Sequence, residues 1–347
     1  MSLPIPTTYP VMEALLVDEI PTGRDWQYEP KWDGFRCLAF KDGNSIHLQS
    51  KSGQPLARYF PEIVEALEEL APERLVLDGE LVIPVGRSIS FDHLLQRIHP
   101  AESRIKKLAE ETPSIFIVFD LLIDEKGRSL VGEPLAERRP LLEAFARRFF
   151  PKAEKIRLSP ATADVAAAKK WLSGGGKAVD GIIAKRLDLD YDSGSGERTA
   201  MQKVKLKSTA DCVVGGFRYG TNSKVIGSLL LGLYDAKGLL HHVGFSSSIK
   251  AKDKEKLTRE LLAIRKPPGF TGRAPGGPSR WSTERTGEWE PLAPTLVVEI
   301  EYDHFTGGRF RHGTKLLRFR PDKSPKQCTM DQIAKKGRAS PLKLLEG

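Results

Sequence analysis

Tyr28-Glu29-Pro30-Lys31-Trp32-Asp33-Gly34-Phe35-Arg36 is the stretch from which the fold and chemistry of this chain are read. It places one amine, Lys31, two residues ahead of an acid that is itself followed by glycine. A lysine amine attacks phosphorus or carbonyl centres once a desolvated pocket or neighbouring cations keep it unprotonated. Glycine behind Asp33 lets the backbone turn tightly or come close to a ligand. Alone, the pattern also describes a charged surface turn, because Lys-x-Asp-Gly arises by chance in about one chain of this length in ten. Its weight comes from the stretches that follow it in order.

Four further stretches echo it: Ser50-Lys51-Ser52-Gly53, Leu77-Asp78-Gly79-Glu80-Leu81, Phe119-Asp120-Leu121-Leu122 and Asp180-Gly181-Ile182-Ile183-Ala184-Lys185. Two cationic elements close the set, Lys203-x-Lys205 and Arg320-x-Asp322-Lys323. Singly, each has a plain structural explanation: Asp-Gly pairs make turns, Phe119 fills a core, and alternate lysines mark the solvated face of a strand. Together, in this order and spacing, they argue against a purely structural reading of them all.

The background composition is ordinary. With 347 residues, 40% hydrophobic and 29% charged, the chain is a globular protein long enough for two cored domains. Apolar runs such as Ile115–Ile123 contain Asp120 and are too short to span a bilayer. Pro4, Pro6 and Pro10 interrupt any secretory leader, so no membrane partner is expected. Cys37, Cys212 and Cys328 lie far apart without metal spacing, which points to a reducing, cytoplasmic setting. Charge is uneven: residues 201–347 hold 27 Lys and Arg against 14 Asp and Glu, a net +13, whereas residues 1–200 hold 27 against 31. Such asymmetry predicts a polyanion-binding domain attached to a more neutral one.

Periodicity predicts a hairpin around Asp42-Gly43, a helix over Pro61–Leu70, and a β-rich run at 75–83 broken by Asp78-Gly79. It predicts one helix over Phe91–Leu108, a buried strand at Ser114–Ile123, and helices at Ala136–Phe150 and Asp164–Leu172. A break at Gly174-Gly175-Gly176 and an apolar strand at Gly181–Ala184 follow. After Lys207 the texture changes to short strands at Cys212–Tyr219, Leu229–Tyr234, Leu239–Phe245, Thr295–Tyr302 and Lys315–Arg320, with one helix at Lys252–Lys266. Five strands and a helix suit an OB-type Greek-key barrel. The fold class is α+β, with domains 1–207 and 208–347, the second ending in a basic C-terminal tail. The Gly/Pro-rich segment 267–290, bearing Arg273, Arg280 and Arg285, is expected to be a long functional loop that contacts a polyanion.

The ordered set resembles the covalent nucleotidyltransferase superfamily of ATP-dependent DNA ligases and mRNA capping enzymes, and most closely the compact bacterial LigC-type DNA ligases. The resemblance covers nearly the whole chain, including Phe310-Arg311-His312-Gly313-Thr314 leading to Arg320-Pro321-Asp322-Lys323. It implies an adenylation domain of antiparallel sheets flanked by helices, followed by an OB-fold barrel. It implies that Lys31 takes AMP from ATP as a lysyl–adenylate and that Lys203 and Lys205 stabilise charge on the α-phosphate. Arg36 and Glu80 would hold the ribose, Phe119 would stack on adenine with Glu29 beside the base, and Asp180 with Glu80 would hold Mg²⁺ or Mn²⁺. Arg320 and Lys323 would orient pyrophosphate. Three departures stand out: Lys51 replaces the usual arginine of the second motif, Asp180 replaces glutamate in the fourth, and Met201 replaces an aromatic before the fifth. The implied substrate is nicked duplex DNA, with a repair polymerase or primase as partner and a monomeric state. Only thirty residues precede Lys31, so no separate N-terminal DNA-binding domain is expected. The rival readings are an RNA ligase, a capping-type nucleotidyltransferase, and a non-catalytic nucleic-acid-binding protein on the same fold.

Overall fold

A computed structural model describes residues 3–150, 154–173, 179–191, 198–276, 288–333 and 340–345. The Gly174–Gly176 break, Arg280, Arg285 and most of the basic tail lie outside these residues. The chain divides into two compact units, Met1–Leu206 with Lys336–Gly347, and Lys207–Lys335. Residues 340–345 therefore group with the first unit, whereas the sequence reading placed the boundary so that 208–347 formed the second. Leu344 and Leu345 pack against a small cluster of Trp32, Val82 and Ile117, burying apolar surface beside the Lys31 stretch.

In chain order the first unit comprises β1 (Trp26–Pro30), β2 (Phe35–Asp42), β3 (Ser45–Ser50), α1 (Pro61–Glu68), β4 (Arg74–Val82), α2 (Phe91–Arg97) and α3 (Glu102–Glu111). There follow β5 (Ile115–Ile123), α4 (Leu135–Phe149), β6 (Ile156–Leu158), α5 (Val165–Ser173), β7 (Gly181–Arg186) and β8 (Met201–Lys205). One sheet has the order β3-β2-β4-β5-β6; the other runs from Leu15–Leu16 through β8 and β7 to β1. Both are mixed, since β6 pairs parallel to β5 and Leu15–Leu16 parallel to β8. Helix α1 starts on Pro61, where the missing N–H costs nothing, and buries Ile63, Ala66 and Leu67. The Lys41 ammonium caps its far end by donating to the carbonyls of Leu67, Glu68 and Leu70.

Two expected elements change on folding. The single helix over Phe91–Leu108 is two helices, because Pro100 lacks an N–H and restricts His99. The Asp78-Gly79 pair does not break its strand; β4 runs through it. The irregularity falls on the partner β5, where Asp120 faces Asp78 and Val118 faces Gly79, leaving Phe119 as the extra residue of a β-bulge. Gly79 is accommodated because a Cβ there would strike the Phe116 ring and the Ile117 carbonyl.

The second unit holds β9 (Ser208–Tyr219), β10 (Ile226–Tyr234), β11 (Leu240–Ser246), α6 (Lys254–Ala263), β12 (Val297–Tyr302) and β13 (Lys315–Phe319). Its sheet has the order β11-β10-β9-β12-β13, and an isolated bridge between Ser246 and Thr314 links the end of β11 to the residue before β13, the arrangement of an OB-type fold without a closed barrel. Leu257 and Leu261 of α6 enter its core. Arg273 lies in the loop expected to contact a polyanion. Its half-buried guanidinium donates to the carbonyls of His242, at 3.3 Å, and of Gly308, fastening the loop to the barrel.

Gly34 turns the chain from β1 into β2 at a point where a Cβ would collide with the Leu81 carbonyl and the Glu80 side chain. Gly34→Ala is expected to lower stability by about 1–3 kcal/mol, measurable as a reduced urea midpoint with an unchanged m-value.

Candidate active site

Lys31 follows directly on β1, and its backbone is bonded on both sides. Its N–H donates to Gly181 O at 3.0 Å, and its carbonyl accepts from Asp180 N at 2.9 Å. Antiparallel pairing aligns Glu29 with Ile183 and Ile183 with Lys203, and Gly181 with Lys205. Alternate residues of a strand share a face, so Glu29, Lys31, Ile183, Lys185, Lys203 and Lys205 belong to one side of this sheet. Gly181 allows the approach, because a Cβ there would strike the Val204 carbonyl.

That face and the end of the other sheet enclose a cavity of about 170 Å³. Among its walls are Glu29, Lys31, Arg36, Lys51, Glu80, Phe119 and Lys203, seven of the residues singled out from the sequence. The Phe119 bulge turns its ring into the cavity, with the Arg36 guanidinium 4.4 Å and the Lys185 ammonium 4.6 Å from the ring centroid. A base stacking on Phe119 therefore takes a free part of the ring or displaces a cation–π partner. Arg36 is not open to a ribose on all sides: its Nε and Nη2 grip Asp78 at 2.6 and 2.5 Å. Asp78 also accepts from Tyr191 Oη at 2.6 Å. This buried carboxylate orients the arginine and lay within a quoted motif without being assigned a role. Glu29 is pinned through one oxygen, Oε1, by Lys185 and Gln27, each at 2.9 Å.

The charges here are poised. The Lys31 ammonium is ion-paired with Asp180, which the sequence reading gave to the metal alone. Burial pushes the Glu80 carboxyl up to about 7, with Asp78 and Asp33 adding to the rise and Arg36 and Lys31 opposing it. Burial also lowers the Lys203 ammonium, and the charges of Lys51, Lys31 and Lys205 lower it further. Each shift describes a charge short of counter-ions: an anion at Glu80 and a cation at Lys203.

A divalent metal suits the first of these. Carboxylate oxygens of Asp33 and Asp180 lie within 4.8 Å of one another, and Asp33 acts electrostatically on Glu80. Asp33 and Asp180 thus offer the hard oxygen ligands that such an ion prefers, while Glu80, expected beside Asp180, is reached by Asp33 only through its charge and is not within that 4.8 Å group.

Arg320 and Lys323 belong to the second unit, where both clasp Asp211, at 2.9 and 2.5 Å. Arg320 also bonds Asp322, holding that carboxyl down to about 2. Four residues about the cavity escaped assignment from the sequence: Asp33, Asp78, Lys185 and Glu13. The first three sit inside quoted motifs; Glu13 carried no signal.

The chain matches known proteins over nearly its whole length. The model of the ATP dependent DNA ligase domain matches residues 13–205, and that of the ATP dependent DNA ligase C terminal region matches residues 222–323. The chain is 44% identical over 344 residues to DNA ligase C1 of Mycolicibacterium smegmatis, with 96% of each covered. It is 30% identical to the multifunctional non-homologous end joining DNA repair protein LigD of Mycobacterium tuberculosis, over 88% of this chain and 37% of LigD. A solved Lig E DNA ligase shares the fold at a TM-score of 0.54 and 16% identity, with 89% of this chain and all of that one covered. Fold and site together define a nucleotidyltransferase with an OB-type second domain. The chain belongs to the ATP-dependent DNA ligases.

Glu80 supplies a pH test. Its folded value near 7 exceeds the ordinary 4.5, so its contribution to stability is present below about pH 4.5 and is lost as pH rises to about 7. Denaturation between pH 5 and 8, without metal, should show a loss approaching about 3 kcal/mol from this group. Glu80→Gln should flatten that slope, and Mg²⁺ should flatten it in the wild type.

Proposed function

We propose that the protein seals nicks in duplex DNA, with ATP as co-substrate and Lys31 as the carrier of AMP. The observation that supports this best is the convergence of Lys31, Glu29, Arg36, Lys51, Glu80, Phe119 and Lys203 on one cavity. In the first step Lys31 Nζ attacks the α-phosphorus; a P–N bond forms, the α–β anhydride breaks and pyrophosphate leaves. The ammonium must first give up a proton, and Asp180, in contact with it, is the group placed to take it. Lys203 and Lys205 offset the charge that builds on the α-phosphoryl oxygens, where fixed cations in a desolvated site act most strongly. A divalent ion, Mg²⁺ or Mn²⁺, held by Asp33, Glu80 and Asp180, would supply Lewis-acid charge at the same oxygens.

Glu29, fixed through Oε1, accepts a hydrogen bond from the adenine amine, while Phe119 stacks on the ring. Arg36 and Glu80 hold the ribose. Arg320 and Lys323 act on the pyrophosphate leaving group. In the second step the 5′-phosphate of the nick attacks the lysyl-bound phosphorus and takes AMP, returning the electron pair to Lys31. In the third, the 3′-hydroxyl attacks that activated 5′-phosphate, the phosphodiester forms and AMP leaves. The basic second unit supplies charge for gripping the duplex. The setting is DNA repair in the cytoplasm, by a monomer working beside a repair polymerase or primase. The likeness to LigD supports the repair role.

Mass spectrometry of ATP-treated protein should find one adenylyl group on Lys31, and Lys31→Ala should abolish it without altering the circular dichroism. An adduct elsewhere, or none, overturns the proposal. Labelled GTP should leave no adduct, and nicks between DNA strands should be sealed in preference to nicks between RNA strands. Arg320→Ala should slow adenylation about a hundredfold while sealing of a nick already carrying 5′-AMP stays within about twofold of wild type.

A further inference from the structure

Glu13 lies on the wall of the same cavity and is engaged by two cations from different parts of the chain. Lys51 Nζ approaches Oε1 at 3.1 Å, and Arg198 Nη2 approaches Oε2 at 2.9 Å. Lys203 adds its charge, and the Glu13 carboxyl is held below the usual carboxylate range, first by the Lys51 hydrogen bond. The carboxylate is carried on fixed backbone: Met12 N donates to Tyr191 Oη at 3.0 Å, and Leu15–Leu16 pair with β8. The two cations differ from it in being long, half-exposed side chains that can turn without moving the backbone. Arg198 also adopts a left-handed φ of 51°, a conformation that a non-glycine residue holds only when its surroundings fix it.

We propose that Glu13 is an internal stand-in for phosphate: it holds Lys51 at the cavity wall and Arg198 beside it, and competes with an incoming phosphoryl group for both. The proposal rests on the adenylation reading above. A phosphoryl group offers the same two acceptors with more charge, so it displaces the carboxylate, and Arg198 provides the planar fork that Lys51 lacks. The energy of the exposed pairs is small, which keeps the exchange reversible. The phosphoryl group comes from the ATP triphosphate or from the 5′-end of the nick.

Calorimetric titration with a non-hydrolysable ATP analogue, and nick binding with 5′-phosphate or 5′-hydroxyl ends, separate the sources without requiring turnover. Glu13→Gln should tighten the analogue, the 5′-phosphorylated nick, or both, by about three- to tenfold, and leave the 5′-hydroxyl nick unchanged. Tightening in the first arm assigns the triphosphate; tightening in the second assigns the nick. In an Arg198→Ala background the gain should shrink to less than half. Unchanged or weaker binding in both arms overturns the proposal, as does equal tightening of the 5′-hydroxyl nick. Formation of the Lys31 adduct by wild-type protein is scored separately, so failure of the adenylation reading is told apart from failure of this one.

Discussion

Everything functional in the first unit depends on the pair of backbone hydrogen bonds between Lys31 and the Asp180-Gly181 turn. They lock the exit of β1 against the start of β7, and the separate pairing of β7 with β8 continues that register, so that residues 29, 183 and 203 fall in one row. A slip of one residue would turn every one of these side chains to the opposite face. The nucleophile is thus fixed by main-chain bonding, and its amine meets Asp180 as a consequence of that register. Gly34 and Gly181 keep the neighbouring strands close, since a side chain would strike the Leu81 carbonyl at the first and the Val204 carbonyl at the second.

Around this lock the site holds charge in an unresolved balance. Glu80 is an anion raised toward neutrality, Lys203 a cation with a lowered affinity for its proton, and Lys31 and Asp180 satisfy each other. A nucleotide bearing phosphates, accompanied by a divalent cation, would relieve both excesses together. Arg36, by contrast, is already neutralised by Asp78 and braced against Phe119. It shapes the aromatic wall through its contact with the Phe119 ring. In the second unit, Asp211 performs a like service for Arg320 and Lys323, holding two cations side by side that would otherwise repel.

Much of the site was legible because its chemistry sits in short contiguous stretches. Lys31, Glu80, Phe119, Lys203 and their neighbours are separated by turns and strands whose composition announces them, and seven of them meet on one cavity. The long-range partners were not legible. Nothing in Met12-Glu13-Ala14 signals a carboxylate bound to Lys51 and Arg198, because the pairing spans 38 residues one way and 185 the other. The Phe119 bulge was equally hidden: an alternating strand pattern does not reveal which residue the partner strand leaves unpaired. The partners of Arg273 were hidden for a related reason, since the carbonyl groups it bonds are brought to it from a distant hairpin.

By itself the sequence determined the order of motifs, the strand and helix periodicities, the charge difference between the two halves and, through its resemblance, the family. These are properties of neighbours along the chain, and local chemistry expresses them. Only the tertiary structure decided which carboxylate each cation meets, that Asp33 joins Asp180, that Asp78 holds Arg36, and that the C-terminal residues return to the first unit. Those outcomes follow from strand register and side-chain packing, which act between residues far apart in sequence and take effect when the sheets form.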